Sequence, residues 1–308
     1  MSRIIVTGGC GFIGTQLVLR LVSEGHDNII VIDKDKPTQL GFAHALQNHV
    51  HYVQRELGQD IPLPELQDAD VVYHLAAEPR VQKTYDDPIL ALDSNTKATV
   101  EVLNAARAYN VRRVVYASTS SVYKNYDSEA ALKEEDNIGP VNPYGISKLQ
   151  GEEWCRFFGL NTCIDTVCLR FFNVYGETQS PDGPYAQVLA VFLDQVRRKL
   201  PLTINGKGNQ TRDFTYIDDI VDGIMLAGEN TKYEFKGKAI NLGRGDSHSI
   251  FDIAKRLGKS YVFNPPSPGE NPHDMADITR AEQLLGWKPS MNVLEWLDIQ
   301  ASRDPLMM

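Results

Sequence analysis

Ile4-Ile5-Val6-Thr7-Gly8-Gly9-Cys10-Gly11-Phe12-Ile13-Gly14 opens on a short apolar run and ends on glycines spaced Gly-x-x-Gly-x-x-Gly at Gly8, Gly11 and Gly14. Apolar residues then recur at helical spacing (Phe12, Ile13, Leu17, Leu21) up to Ser23, so the stretch reads as strand, tight turn and helix. Glycine suits such a turn because it lets the backbone bend sharply, approach a pyrophosphate closely and pack helix on strand. The helix start that follows offers unpaired N–H groups and the positive end of the helix dipole to phosphates. A second apolar run, Ile29-Ile30-Val31-Ile32, ends in Asp33, nineteen residues after Gly14. A carboxylate there accepts hydrogen bonds from ribose hydroxyls and repels a 2′-phosphate. It points to NAD rather than NADP, although Lys34 and Lys36 follow it.

The same texture continues outward. Val71-Val72-Tyr73, Val114-Val115-Tyr116-Ala117 and Thr166-Val167-Cys168-Leu169 are apolar on both faces. Such runs belong to parallel strands covered by helices on both sides. The expected fold class is α/β, a doubly wound parallel sheet of Rossmann type over residues 1–172, with later segments near 213–243 returning to it. After Asn173, Pro and Gly become frequent and helical patterns fall at 188–199, 218–228, 250–257 and 279–285. A smaller α/β substrate lobe is expected over 173–308.

The 308 residues are 42% hydrophobic and 23% charged, which are globular proportions. With 31 basic against 40 acidic residues the net charge is −9, so neither nucleic acid nor an anionic membrane is an expected partner. Cys10, Cys155, Cys163 and Cys168 form no Cys-x-x-Cys pair and have no ligand-spaced His partners, so reduced thiols and no metal site are expected. The absence of a signal-like start, and of an apolar run near the ~20 residues a membrane helix needs, leads to the expectation of a soluble, cytoplasmic protein.

Tyr144-Gly145-Ile146-Ser147-Lys148 follows Pro143, a good first residue for a helix. Residues four apart share a helix face, so phenol and ammonium point the same way. A nearby cation should favour the phenolate and lower the Tyr144 pKa, making it a general base for a substrate hydroxyl. Lys148 could also hold the nicotinamide ribose. Ser118-Thr119-Ser120-Ser121-Val122-Tyr123 places hydroxyls at the C-terminal end of a strand, where ligands bind in such sheets.

On these motifs the sequence resembles the extended short-chain dehydrogenase/reductase family, in its nucleotide-sugar epimerase and dehydratase group. The match also takes in His74-Leu75-Ala76-Ala77, Asn95, Arg170-Phe171-Phe172-Asn173-Val174-Tyr175-Gly176, Arg212-Asp213-Phe214, Asp218-Asp219 and Leu285-Gly286-Trp287. The resemblance implies a catalytic triad of Thr119, Tyr144 and Lys148. It implies a cofactor cleft lined by Gly8, Gly11, Phe12, Ile13, Gly14, Asp33, Leu75, Ala76, Ala77, Asn95, Ser118 and Phe171, with Glu56 and Leu57 at the adenine and Asp60-Ile61 as the competing pair. For a nucleotide-diphosphate sugar it implies Ser120, Ser121, Asn173 and Arg212, with Asp274 where pocket size is set. Two departures stand out: Ser267 replaces the usual diphosphate-gripping Arg, and Lys124 replaces the Gly that usually follows Tyr123.

Within that group the residues after the triad Thr separate the reactions. Dehydratases carry Asp-Glu there, decarboxylases Glu and 3,5-epimerase/reductases Cys at the second position; this chain has Ser120-Ser121. The resemblance therefore implies a 4-epimerase using NAD, with dehydratase, decarboxylase or 4-keto reductase as alternatives and a non-catalytic NAD sensor as a remote one. Relatives pair two helices across a homodimer. Apolar residues beyond a single stripe near 93–109 (Val100, Leu103, Ala106) and 144–159 (Trp154, Phe157, Phe158) give the same expectation here.

Overall fold

The computed structural model describes residues 2–37, 49–124, 130–136, 138–179, 181, 187–258, 260–266 and 271–303. Its centre is a seven-stranded sheet. The strands are β1 (Arg3–Thr7), β2 (Ile29–Asp33), β3 (Val50–Gln54), β4 (Ala69–His74), β5 (Arg113–Thr119), β6 (Asp165–Phe171) and β7 (Lys238–Leu242). They run in the order β7-β6-β5-β4-β1-β2-β3, every neighbouring pair parallel. The order reverses between β1 and β4, so a crevice opens there at the C-terminal strand ends, the usual ligand position in this architecture.

The continuous apolar runs are explained by two cores. Ile4, Val6, Val31, Val71, Tyr73, Val115, Val167 and Leu169 face one way, onto α1 (Phe12–Ser23) through Leu17, Val18 and Leu21. Ile5, Ile32, Val72, Val114, Tyr116 and Cys168 face the other way, onto α2 (Ala98–Ala108) and α3 (Pro143–Asn161) through Val102, Leu103, Ala106, Cys155 and Phe158. Leu103, Ala106 and Phe158 are therefore internal, against the expectation that they lie outside the core-facing stripe. The sheet claims these positions because α2 and α3 both pack beneath it.

Chain beyond residue 172 returns to the first core. α4 (Ile217–Glu229) contributes Ile217, Ile220, Val221 and Ile224, and Leu285 and Trp287 join them. The remainder forms a second unit on a core of Tyr175, Leu189, Phe192, Phe214, Ile253 and Trp296. Short strand pairs lie in it: Val174–Tyr175 with Thr215–Tyr216, Leu202–Asn205 with Tyr261–Asn264, and Thr211–Asp213 with Ser247–Ser249. No helix among the described residues is long and apolar enough to cross a membrane.

Candidate active site

The glycine loop is shaped by contacts that exclude side chains. Gly8 has φ +72, and a Cβ there would lie 2.6 Å from the Ala76 nitrogen. A Cβ on Gly14 would meet the Gly8 oxygen at 2.1 Å. Gly11 is the N-cap of α1 and no described side chain caps it, which leaves the helix start to a ligand. Asp33, at the end of β2, accepts from the Cys10 N–H at 2.9 Å and the Asp35 N–H at 3.0 Å, tying β2 to the loop. Burial, then Asp33 and Asp35, push the Cys10 thiol up to about 12, so it stays protonated. This cradle fits the pyrophosphate and ribose of a dinucleotide.

Leu75, Ala76 and Ala77, partly exposed after β4, form the opposite wall. Phe12 and Ile13 are partly exposed in the first turn of α1. Leu57 is buried in the core and Glu56 is exposed beside it. Asn95 is buried, with Nδ2 donating to the Glu78 oxygen and to Ser147 Oγ, and Oδ1 accepting from the Glu78 N–H. Its amide donors are thus spent on linking the wall to α3. Phe171 lies in the core, and the Ser118 hydroxyl donates to Glu152 Oε1 at 2.5 Å.

Asn142 caps α3 by accepting from the Gly145 N–H at 2.8 Å, and Pro143 follows at the first turn. A Cβ on Gly145 would lie 2.3 Å from the Ser121 oxygen, and one on Gly151 2.2 Å from the Tyr116 hydroxyl. These two glycines let α3 lie directly on β5 and the turn after it. The Tyr144 phenol therefore comes beside the Thr119 hydroxyl, near enough for that hydroxyl to act on it. Burial pushes that phenol up to about 12, with Thr119 pulling it back. The expected lowering by Lys148 is thus not what this structure shows. The ammonium lies over the Tyr116 ring, 4.6 Å from its centroid, and burial lowers it to about 8.

Ser120, Asn173 and Asp274 meet in one cluster. Ser120 Oγ and Asn173 Nδ2 donate to Asp274 Oδ2 at 3.0 and 2.8 Å, while buried Oδ1 has no hydrogen-bond partner among the described residues. Burial raises the Asp274 carboxyl and Arg212 opposes the rise. Arg212 itself donates to the Thr211 and Asn271 oxygens, both at 2.8 Å. Ser121 is partly exposed, and its N–H donates to Thr119 Oγ1 at 3.2 Å. Lys124 is exposed, and Ser267 lies outside the described residues.

Sequence reasoning gave His74 no role. Its Nδ1 lies 2.7 Å from Thr7 Oγ1 and its Nε2 3.0 Å from Thr99 Oγ1. Thr99 donates its own proton to the Asn95 oxygen at 2.6 Å, so it must accept from Nε2–H. Nδ1 is then the acceptor for Thr7, whose oxygen receives the Ala76 N–H at 3.3 Å. Burial, with Lys148 adding to it, lowers His74 to about 3 and keeps it neutral.

A dinucleotide cradle at the switch point, with a Tyr-x-x-x-Lys helix beside a strand-end threonine, defines a nicotinamide-dependent oxidoreductase-type site on a Rossmann sheet. The chain belongs to the NAD dependent epimerase/dehydratase family, whose model matches residues 4–243, and its cofactor is NAD. It is 30% identical over 304 residues to the UDP-glucose 4-epimerase of Mycolicibacterium smegmatis, covering 95% of each chain. The UDP-glucuronic acid 4-epimerase of Bacillus cereus, solved with UDP-glucuronic acid and NAD, is 35% identical. It superposes with TM-score 0.84 over 95% of this chain and 96% of that one. The UDP-glucose 4-epimerase of Thermotoga maritima, solved with UDP-glucose, is 28% identical with TM-score 0.86 over 95% of each chain.

Proposed function

We propose that this protein is a nucleotide-sugar 4-epimerase, an isomerase that oxidises the sugar at C4 and reduces it again from the opposite face. The observation that carries this reading is the Tyr144 phenol beside the Thr119 hydroxyl at the strand end, with Lys148 one turn further along the same helix face. Gly8, Gly11, Gly14 and Asp33 would hold NAD on one side of the crevice and Leu75–Ala77 on the other. When bound, NAD supplies a ring carbon that can take up a hydride and give it back. Tyr144 Oη takes the proton of the sugar hydroxyl and later returns it. Thr119 holds that hydroxyl in line, and Lys148 would hold the nicotinamide ribose beside it. Ser120 and Ser121 carry no acid or base for elimination, so the keto-sugar is left to turn over. Asn173 and Arg212 would contact the diphosphate, where the planar Arg fork suits phosphate oxygens. Asp274 would face the sugar.

The same reading makes the protein a cytoplasmic homodimer. All four cysteines are free. One stripe of α3 stays exposed and apolar: Ile146, Trp154 at 40%, Phe157 at 51% and Leu160 at 56%. A second copy of that stripe is its natural cover.

The test is a mass-spectrometric and proton-NMR screen of UDP-sugars with the NAD-loaded protein, run beside Tyr144→Phe, Lys148→Met and Thr119→Val. Tyr144→Phe should fold and keep NAD but lose about 10²–10⁴ in turnover. Lys148→Met should lose turnover and NAD affinity. Thr119→Val should be mildest, at about 1 kcal/mol for one hydrogen bond. Near-parental interconversion by Tyr144→Phe would place the base elsewhere.

A further inference from the structure

We propose that Glu152 is a positioning residue for the Tyr144–Lys148 pair, the third rung of a ladder that sets how α3 sits on β5. Tyr144, Lys148 and Glu152 are four apart and share one helix face. Each meets β5: Tyr144 at Thr119, Lys148 at the Tyr116 ring 4.6 Å away, and Glu152 at Ser118 Oγ, 2.5 Å away. Gly145 and Gly151 bring helix and strand so close that turning α3 displaces all three rungs together.

The third rung is the anchored one. Arg170 on β6 grips Glu152 with both edges of its fork, Nε to Oε1 at 2.9 Å and Nη2 to Oε2 at 2.7 Å. Its Nη1 donates to the Tyr123 hydroxyl at 3.0 Å and the Glu134 oxygen at 2.9 Å. The Tyr123 N–H returns to the Ser120 oxygen at 3.1 Å and closes the turn after Thr119. Thr119 therefore lies between two points, Ser118 and Tyr123, that one ion pair holds. The Glu152 and Arg170 side chains are only 7% and 4% exposed. Burying such charges is costly unless every polar atom is satisfied, and apolar residues would pack as stably. What the ion pair adds is one defined geometry.

Charge gives the ladder a second readout. Around Lys148 stand Cys155 and Glu152 on α3, Cys168 on β6, Tyr116 on β5 and His74 on β4, with Arg170 of β6 on the Glu152 carboxylate. Glu152 is the carboxylate among them, so its loss makes the Lys148 ammonium harder to keep.

This inference rests on the reading of Tyr144 and Lys148 as the catalytic pair. The experiment uses the NAD-loaded holoenzyme, with kcat counted per bound NAD. Glu152→Asp keeps the charge and shortens the reach. Its kcat should fall about 10–100-fold, as for a small misplacement of a reacting group, with KM within about threefold and the alkaline limb of the kcat profile in place. Glu152→Gln should show the same fall and an alkaline limb moved to lower pH. A merely structural role would lower stability and leave both unchanged. If neither carboxyl variant loads NAD, Ser118→Ala decides: a fall of about threefold or more in kcat per NAD supports the ladder, and a parental value overturns it. Folded Glu152 variants with parental kcat and limb would overturn it equally. Should the parent turn over no UDP-sugar, the proposed function fails instead. Crystal structures of parent and the mildest loaded variant then judge the ladder, which is refuted by an unchanged Tyr144–Thr119 distance.

Discussion

A buried neutral histidine carries a pH dependence whose sign follows from its proton chain. His74 accepts from Thr7 and donates to Thr99, and no place remains for a second ring proton. Its pKa falls from 6.5 to about 3 on folding. The unfolded chain therefore binds a proton below pH 6.5 that the native state refuses, and stability falls as pH drops from 6.5 towards 3. The slope is at most about 1.4 kcal/mol per pH unit, so about 2 kcal/mol is lost by pH 5. Asp213 acts in the opposite sense. Burial raises it to about 7 although the Ala276, Arg244 and Gly245 N–H groups donate to it, so its destabilising effect grows as pH rises from 3.8 towards 7. The parent alone thus mixes two trends, and a comparison with His74→Gln separates them. Denaturant unfolding at pH 7 and pH 5 should show the parent losing about 2 kcal/mol more than His74→Gln between those values. Equal losses would mean that His74 accepts a proton in the fold.

The β1–loop–α1 element depends on backbone touching backbone. A methyl group on Gly14 would lie 2.1 Å from the Gly8 oxygen and 2.7 Å from the Gly9 Cα, and neither atom can swing aside as a side chain tip would. Gly14→Ala must therefore open the loop, and NAD affinity should fall by roughly two orders of magnitude or more. Gly25→Ala is the matched control. Gly25 has φ +89 with no described atom within 4 Å of a Cβ there, so its substitution strains one residue. It should lose about 1 kcal/mol of stability and keep parental NAD affinity. Fluorescence titration with NAD checks both. A Gly14→Ala protein that binds NAD as the parent does would mean that the loop opens without loss of its phosphate contacts.

At the scale of the whole molecule, two arginines, one of them buried, close the base of the sheet and an apolar stripe is left outside. Arg113, at the start of β5, donates to Asp165 at 2.8 Å, to the Ala227 oxygen at 3.0 Å and to the Tyr233 oxygen at 2.8 Å. It thereby fastens β6 and the end of α4 to β5. Arg112 beside it grips Asp70 at 2.9 and 3.0 Å. The exposed stripe of α3 runs along the outer side of the helix whose inner side holds Tyr144 and Lys148. A homodimer on that stripe would clamp the catalytic helix from outside. Replacing Trp154 and Phe157 together by Glu should convert a dimer to a monomer in light scattering at micromolar concentration, with the far-ultraviolet circular dichroism retained. A parent that scatters as a monomer refutes the dimer.

The sequence by itself determined the elements whose signal is local. The strand–glycine–helix opening, the central strands and the Tyr144–Lys148 spacing are each read within a turn or a few residues, and Asp33 from the end of the very next strand. Strands buried on both faces must be apolar throughout, so β1, β2, β4, β5 and β6 are legible from the residues alone. β3 and β7 are the edges of the sheet. Val50-His51-Tyr52-Val53-Gln54 mixes polar with apolar because much of it is exposed, and Lys238-Ala239-Ile240-Asn241-Leu242 because buried Asn241 donates to the Leu132 and Asp277 oxygens; that texture hides them. Only the tertiary structure decided which face each helix turns inward. Leu103, Ala106 and Phe158 read as surplus apolar surface, yet the sheet buries them and leaves Trp154 and Phe157 outside. It also decided the electrostatics of the site. Spacing places a cation near Tyr144, but how far burial outweighs that cation depends on the packing of α3 on β5, which residues dozens of positions apart create. Glu152 with Arg170, His74 with Thr7 and Thr99, and Asp274 with Ser120 and Asn173 are pairings of this kind, unreadable until the chain is folded.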